Sequence, residues 1–216
     1  MKFEKVQFVY VDVQYLEYLH SIEPEIFFDK KNESYRLKPH LGILIQNEDT
    51  EYVIPLTSAK EKHKFWPDVT ANWYRIYEIV NIEKDKITEH DILVEIKNHK
   101  ILQKLCPKEA IAARQRILSV LDIRKMFPAD KSVYRKIDFK IDSNSDVSTK
   151  QRTFLMIKEY NFLYERSKEI ELKATKIYEK QVKKQKVLPY HCDYLRLEKA
   201  LENYKKFHKR NNVYFW

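Results

Sequence analysis

The first half of the chain contains short apolar runs that are separated by polar turns. Phe3 to Val11 is rich in β-branched and aromatic residues, which is typical of a strand. Leu41 to Ile45 and Tyr52 to Leu56 flank the polar stretch 47–50, and this spacing predicts a hairpin. Residues 73–80 and 92–96 are two further strand candidates. The pattern therefore predicts a small antiparallel sheet in this half.

Apolar residues at helical spacing predict one helix between the first strand and the hairpin. Asp12 is a typical N-cap residue, and the apolar positions that follow it continue until Pro24, which ends the helix. The segment between this helix and the hairpin, residues 23–38, is polar with an aromatic centre. A loop of that length is usually functional or disordered.

The second half of the chain carries mainly helical spacing. Pro107 is placed to open a helix that extends to Ile123. A capping box of Ser148 and Gln151 predicts a long helix to about Lys186, and a last helix covers residues 194–207. The order of elements predicts an α+β fold, with a small curled antiparallel sheet and several helices that are mainly C-terminal.

Length and composition place the chain among soluble globular proteins. At 216 residues, 44% of them hydrophobic and 34% charged, it can form one well-buried core. No apolar run approaches the roughly 18 to 20 residues of a membrane span, and the N-terminus has no signal-peptide pattern, which predicts a cytoplasmic protein with no membrane contact. The two cysteines, Cys106 and Cys192, are far apart and are interpreted as buried thiols.

Charge is distributed unequally between the two halves. Residues 1–100 carry 14 Lys and Arg against 18 Asp and Glu, whereas residues 101–216 carry 27 against 14. A basic half with a sequence pI near 9.2 indicates a polyanionic partner, of which nucleic acid is the usual one. Amphipathic helices with lysine-rich outer faces would give the same composition. We predict a single domain, 1–216, with a mostly β catalytic core in 1–100 and a helical basic extension in 101–216.

The most informative stretch is the end of the second hairpin strand. An apolar run that finishes at Leu56 is followed at once by two hydroxyl residues, two lysines and a histidine, namely Thr57, Ser58, Lys60, Lys62 and His63. Hydroxyl donors and compact positive charges beside a group that titrates near neutral pH suit a phosphate ligand. A solvated polar loop is the alternative interpretation, because short strings of this kind recur by chance.

Three stretches of the chain together resemble the ToxN/AbiQ toxins of type III toxin–antitoxin systems. They are Phe3 to Leu19, then Lys38-Pro-His-Leu-Gly-Ile-Leu-Ile45, then Ile54-Pro-Leu-Thr-Ser-Ala-Lys-Glu-Lys-His63. The resemblance is specific over about residues 1–65 and architectural beyond them. It implies a sequence-selective, metal-independent endoribonuclease on a partly open barrel like that of the MazF/Kid toxins, held inactive by a repeated, structured RNA antitoxin.

The resemblance also implies roles for individual residues. The family's first-helix tyrosine corresponds to Tyr15, its loop tyrosine to Tyr35, and the basic residue before the strand glycine to Lys38. Its hydroxyl pair and lysine correspond to Thr57, Ser58 and Lys60. Ala59 stands where the family commonly has proline. Attack of a 2′-hydroxyl on phosphorus builds negative charge that Lys60 and the two hydroxyls would stabilise, while Tyr15 and Tyr35 would stack bases or orient the phosphate.

The remaining candidates concern proton transfer and the RNA partner. His63 is the nearby group with a pKa suited to proton transfer, although it could equally be a rim residue, just as Tyr15 could be a core residue. Lys62 is a candidate RNA contact. Lys183, Lys184 and Lys186 in the basic helix are candidates for binding antitoxin RNA.

Three classes of function therefore stay open from the sequence. The first is an RNA-cleaving toxin, with no cofactor and no metal, that forms a protein–RNA hetero-oligomer with antitoxin RNA and acts on substrate RNA in phage defence. The second is a non-catalytic RNA-binding module, for which Ser58 would be dispensable. The third is a protein-interaction adaptor, whose nucleic-acid binding would depend little on salt.

Overall fold

The computed structural model describes residues 7–29, 42–47, 50–141 and 143–211. The strands in this part of the chain are β1 Val9–Val11, β2 Gly42–Asn47, β3 Thr50–Ser58, β4 Trp73–Asn81, β5 Ile92–Val94, β6 Ala113–Asp122, β7 Phe127–Ala129 and β8 Tyr134–Lys136. The α-helices are α1 Val13–Ile22, α2 His99–Leu102, α3 Pro107–Ala112, α4 Val147–Tyr164, α5 Ser167–Lys184 and α6 Tyr194–Asn211. Two 3-10 helices, Glu61–Phe65 and Ile123–Lys125, complete the elements, and the predicted α+β class is confirmed.

Strand β3 lies inside the main sheet and has a partner strand along each edge. On one edge it forms the predicted hairpin with β2, in which Ile43 lies opposite Ile54. On the other edge the chain from β6 to β7 runs antiparallel to it, so that Ser58 is opposite Ser119 and Val53 is opposite Phe127. Every part of β3 is therefore held by backbone pairing on at least one edge.

Strand β6 is the other central strand of the sheet. One edge pairs with β4 along its whole length, with a bulge at Ile76/Tyr77, and the other edge pairs first with β5 and then with β3. The strand order is β2-β3-β6-β4, and the path does not close into a barrel within the described strands. A separate pair, β1 and β8, forms a second small antiparallel sheet.

The helix predicted across residues 107–123 is wrong beyond Ala112. Helix α3 ends there, and Ala113–Asp122 is strand β6. The residues from Ser119 to Ile123 are all buried, so both faces of this part of the strand are covered. A strand that is covered on both faces has a continuous apolar run without alternation, which cannot be distinguished from a buried helix by spacing alone.

Two other sequence expectations differ from the structure. The long helix predicted for 148–186 is two helices, α4 and α5, that are interrupted at Glu165 and Arg166. The predicted Ser148–Gln151 capping box is also wrong, because the carboxylate of Asp146 caps α4 by accepting the Thr149 N–H at 2.9 Å. Of the two thiols, Cys192 is buried as expected, whereas Cys106 is exposed.

The predicted first helix is confirmed. The Asp12 carboxylate accepts the backbone N–H groups of Gln14 and Tyr15 at 2.7 and 3.0 Å, which satisfies two of the free donors in the first turn. The face with Tyr15, Leu16 and Leu19 is buried. This face joins one hydrophobic core with β3, β7 and the C-terminal helix α6.

Polar contacts lock α6 onto this core. The Glu198 carboxylate accepts hydrogen bonds from the hydroxyls of Tyr52 and Tyr178, and Lys205 pairs with Asp130 at 2.9 Å. The Tyr204 ring lies edge-on to Tyr15 with ring centroids 5.0 Å apart. The predicted last helix is thereby confirmed as part of the core structure. No helix among the described residues is long and apolar enough to span a bilayer.

Candidate functional site

The two hydroxyl residues lie at the exposed end of β3. Thr57 is opposite Val120 and Ser58 is opposite Ser119, so the backbone of both residues is held by β6. The ladder continues one residue further, because the Ala59 N–H donates to the Leu118 carbonyl at 3.3 Å. Both hydroxyl side chains are solvent-exposed. We call residues 57–62 the rim segment: its first two residues combine a rigid backbone with accessible hydroxyls.

Lys60 and Lys62 bring positive charge to the rim segment, and both are exposed. The Lys60 amino group lies 6.0 Å from the centroid of the Phe27 ring, and the Lys62 amino group lies 5.8 Å from that of Trp66. Lys64, in contrast, pairs with Glu61 at 2.8 Å. Within the part of the chain that the structure describes, neither Lys60 nor Lys62 forms an ion pair, so their charges are available to an anion.

His63 is turned inward and is only 2% exposed. Its Nδ1 atom accepts the Lys60 backbone N–H at 3.0 Å, and its backbone N–H donates to the Lys60 carbonyl at 2.8 Å. Burial, followed by the charges of Lys62, Lys60 and Arg75, lowers the pKa of His63. The imidazole is therefore held neutral with Nδ1 as an acceptor. The catalytic role predicted for His63 stays a prediction, and the geometry favours its alternative role of shaping the rim.

Arg75 organises the loop that follows the rim segment. Its guanidinium, on β4, is 5% exposed and donates to the carbonyl oxygens of His63, Lys64 and Trp66 at 3.2, 3.4 and 2.7 Å. The same group pairs with Asp68 and donates to the Gln115 side-chain oxygen at 2.9 Å. Gln115 in turn donates to Asp68 at 3.1 Å. A buried guanidinium with this many acceptors makes the loop rigid.

Aromatic rings cover this loop and line a pocket beside it. The Trp66 ring packs against His63 and Trp73, with ring centroids 4.8 and 4.6 Å away. Phe65, at the end of the 3-10 helix, is 88% exposed. The adjacent pocket has a volume of about 320 Å³ and is lined by Lys64, Phe65, Trp66, Pro67, Asp68, Arg75, Val94, Glu95 and Lys97. The pocket thus combines aromatic walls with charged groups of both signs.

Tyr15 lies in the core and not at the rim. Its side chain is 0% exposed, and its hydroxyl donates to the Pro128 carbonyl at 2.8 Å. Burial, with a smaller effect of the Asp130 charge, raises the pKa of Tyr15 well above its usual value. In this position the ring cannot stack on a base, so the geometry favours the alternative role as a core residue on the helix face. Tyr35 and Lys38 lie outside the described residues.

The basic candidates at the end of α5 are exposed. Lys183 pairs with Glu179 at 3.5 Å, and both Lys183 and Lys184 lie in the last helical turn. Lys186 follows Gln185, which ends the helix in the left-handed conformation. Cations at a helix C-terminus are stabilised by the helix dipole, so these residues have a structural reason to be there that is independent of RNA.

A buried acidic group on α4 lies close to Ser119, the strand partner of Ser58. Glu159 of α4 is 3% exposed, and one of its carboxylate oxygens has no hydrogen-bond partner among the described residues. Burial raises the pKa of Glu159 to about 7. Within the described ranges, no group of three or more His, Cys, Asp or Glu side chains is arranged to hold a metal ion.

Sequence reasoning missed the residues that hold the loop. Arg75 is a polar residue inside the strand candidate 73–80, and Gln115 is a polar residue inside the run 113–122. A polar residue in such a segment is a signal that it has a buried polar partner. Neither could be connected to Asp68 from the sequence, because β4 and β6 are 40 residues apart at the Arg75–Gln115 contact. The pairing of Ser58 with Ser119 depended in the same way on recognising β6 as a strand.

Comparison with known proteins places the chain near the ribonuclease toxins of type III systems. The family model described as toxin ToxN, type III toxin–antitoxin system, matches residues 7–202. A relative named endoribonuclease ToxN, from Bacillus thuringiensis subsp. kurstaki, is 24% identical over 203 residues, which are 91% of this chain and 82% of that protein.

Two solved structures share the fold. One concerns a bacterial type III toxin that is selectively inhibited by a non-coding RNA pseudoknot; it matches with a TM-score of 0.63 and 18% identity over 94% of this chain and 99% of that one. The other is AbiQ, a lactococcal anti-phage endoribonuclease of a type III toxin–antitoxin system, with a TM-score of 0.58 and 19% identity over 94% and 99% of the two chains.

Proposed function

The chain belongs to the family of ToxN toxins of type III toxin–antitoxin systems, and from this membership and the geometry of the rim segment we propose its function. It is an endoribonuclease toxin in phage defence, as its relatives are named. Its partners are substrate RNA and an RNA antitoxin, and the toxin and antitoxin form a protein–RNA hetero-oligomer. It acts in the cytoplasm, as a single domain whose curled sheet corresponds to the barrel of MazF/Kid toxins.

The reaction is attack of a ribose 2′-hydroxyl on the neighbouring phosphorus. The new bond joins the 2′-oxygen to phosphorus, and the bond from phosphorus to the 5′-oxygen of the next nucleotide breaks. The 2′-hydroxyl loses a proton, the leaving 5′-oxygen gains one, and the products are a 2′,3′-cyclic phosphate and a 5′-hydroxyl. Negative charge grows on the nonbridging oxygens during the attack, and this charge is what the protein must stabilise.

One observation carries the proposal: the end of β3, held by its pairing with β6, presents two accessible hydroxyls next to a lysine that forms no ion pair among the described residues. The Ser58 and Thr57 hydroxyls, which leave opposite faces of the strand, and the Lys60 amino group are accessible donors. Ser58 and Lys60, two residues apart, are the pair that can be aimed at one phosphate before the reaction begins. These donors need no metal to stabilise the charge, so we propose metal-independent cleavage. Lys62 and, outside the described residues, Tyr35 and Lys38 are proposed RNA contacts.

A cleavage assay tests the proposal. Purified wild type should cut single-stranded RNA at selected sequences in the presence of EDTA and leave 2′,3′-cyclic phosphate ends. Removal of one donor from such a site commonly lowers the rate by about 10² to 10³, so Ser58→Ala should lose activity to that extent while its melting temperature stays the same. Activity that is lost in EDTA and restored by magnesium would refute the mechanism. Equal RNA binding and no cleavage by either protein would favour a non-catalytic RNA-binding module.

A further inference from the structure

Phe65 is an exposed aromatic residue that follows closely after the rim segment. Isolated exposed apolar side chains are common on protein surfaces and by themselves mean little. Phe65 differs because it stands directly after three lysines within five residues, Lys60, Lys62 and Lys64, and 88% of it is accessible to solvent. Exposed aromatic rings interleaved with basic residues are the usual arrangement of single-stranded nucleic-acid sites.

The backbone on both sides of Phe65 is attached to one buried side chain. The guanidinium of Arg75 donates to the carbonyl of Lys64, immediately before Phe65, and to that of Trp66, immediately after it. Asp68 and Gln115 hold the guanidinium in turn. The ring is therefore presented by a fixed loop, and a ligand that stacks on it does not have to order the chain first.

Phe65 is also one of the residues that line the pocket beside the loop. The pocket volume of about 320 Å³ lies at the lower end of the range for small-molecule sites. Trp66 is a second aromatic residue in the lining, and Val94 is an apolar one. Lys64, Glu95 and Lys97 place both hydrogen-bond donors and acceptors at the pocket. Flat rings with polar edges, as in nucleobases, match this combination.

We propose that Phe65 is a stacking platform for one base of the substrate RNA and that the adjacent pocket receives this base. The inference rests on the proposed function, because it assigns a specificity-determining residue to the same reaction. Phe65 is five residues beyond Lys60, which corresponds to about 10 Å along a 3-10 helix. The stacked base therefore belongs to a nucleotide near the scissile phosphate. Arg75 is the positioning residue for the platform.

Binding to an uncleavable RNA tests the platform separately from catalysis. Short single-stranded oligonucleotides of A, C or U with 2′-O-methyl sugars cannot undergo attack by the 2′-oxygen, so their dissociation constants report binding alone. Base–aromatic stacking is worth about 1–3 kcal/mol per base, so Phe65→Ala should weaken binding by about 5- to 150-fold. Phe65→Trp should retain it. Phe154→Ala, which removes an exposed phenyl ring from α4, is the matched control and should bind as wild type.

An abasic scan then locates the stacked nucleotide. Removal of one base at a time should weaken wild-type binding most at a single position near the cleavage site. At that position the loss should be largely absent in Phe65→Ala, because the two changes remove the same contact. In cleavage, Phe65→Ala should lower kcat/KM by a factor similar to that for binding and should relax the preference at that position.

The possible outcomes distinguish a failure of the stacking-platform proposal from a failure of the ribonuclease proposal. Binding and kcat/KM of Phe65→Ala equal to wild type would overturn the platform while leaving the ribonuclease proposal intact, and so would an equal loss in Phe154→Ala. Phe65-dependent binding by a wild-type protein that cleaves no RNA would support the platform and refute the enzyme. An abasic profile that is the same in wild type and Phe65→Ala would also overturn the platform.

Discussion

The two ends of strand β3 share one backbone arrangement and differ in solvation. At the N-terminal end, Tyr52, Val53 and Ile54 are completely buried, and the Tyr52 hydroxyl is held by Glu198. At the C-terminal end, Thr57 and Ser58 are exposed. Both ends are paired with strands on at least one edge, so neither is free to move relative to the sheet.

The difference shows how one strand can provide both stability and a reactive site. The buried end anchors the strand in the core through apolar contacts and hydrogen bonds. The exposed end uses that rigidity to present hydroxyls in fixed directions. Changes at the exposed end should therefore affect activity and leave stability unchanged, whereas changes at the buried end should do the reverse. Four experiments follow in order of decreasing expected effect: the first and third test this contrast, and the second and fourth test charged groups on α4 and at the end of α5.

Lys60→Ala, just beyond the exposed end of β3, should abolish growth arrest. Lys60 forms no ion pair among the described residues, and the loss of its charge from the rim segment should lower the cleavage rate by about 10² or more. Growth of cells that express the variant without antitoxin is the measurement, with cleavage of a short RNA as the second readout. Lys84→Ala, on the turn after β4, is the control and should stay toxic. Full toxicity of a folded Lys60→Ala protein would contradict the assigned role.

Glu159→Gln should stabilise the protein at high pH. The folded-state pKa of about 7 exceeds the ordinary value of 4.5, so the stability present below pH 4.5 is lost as the pH rises from 4.5 through 7. Removing the titration should raise the free energy of unfolding at pH 8 by about 3 kcal/mol at most. Denaturant unfolding across this range measures it, and the exposed Glu202→Gln is the control. If the free energy of unfolding of Glu159→Gln depends on pH as that of wild type does, the Glu159 carboxyl does not cause the loss of stability at high pH.

Glu198→Ala should destabilise the buried end of β3. The substitution removes the acceptor of the buried Tyr52 hydroxyl, which costs about 1–3 kcal/mol, and it also removes the hydrogen bond from the half-buried Tyr178 to Glu198. The melting temperature should fall, while kcat/KM per folded molecule stays at the wild-type value. Glu202→Ala on the outer face of α6 is the matched control. If Glu198→Ala loses activity and keeps its stability, the buried end of β3 does not have the structural role proposed for it.

Charge reversal at the end of α5 should have the smallest effect on cleavage. Replacing Lys183, Lys184 and Lys186 by Glu should weaken antitoxin RNA binding and reduce its salt slope by about 0.7 to 0.9 for each phosphate that the lysines no longer neutralise. Cleavage of a short substrate should change much less. The same reversal at Lys84, Lys86 and Lys100 matches the change in net charge. If both triple variants bind alike across a salt titration, the α5 lysines are only a solvated helix end.

The sequence alone determined the local elements whose signals are short-range. Asp12 and Pro24 delimited α1 because capping and the missing proline N–H act within a few residues. The hairpin and the polar residues at its end were readable for the same reason, since an apolar run that stops at Leu56 must leave the core there. The family also followed from residues that are contiguous in the chain.

Only the tertiary structure decided the roles that depend on distant partners. The run 113–122 became a strand because β4 on one edge and β3 and β5 on the other complete its hydrogen bonds, which no local signal reports. His63 and Tyr15 are suitable for chemistry as residue types, yet burial and a partner for Nδ1 or the hydroxyl give them structural positions. Arg75, Asp68 and Gln115 meet from three separate segments, and their contact determines where the loop that carries Phe65 is held.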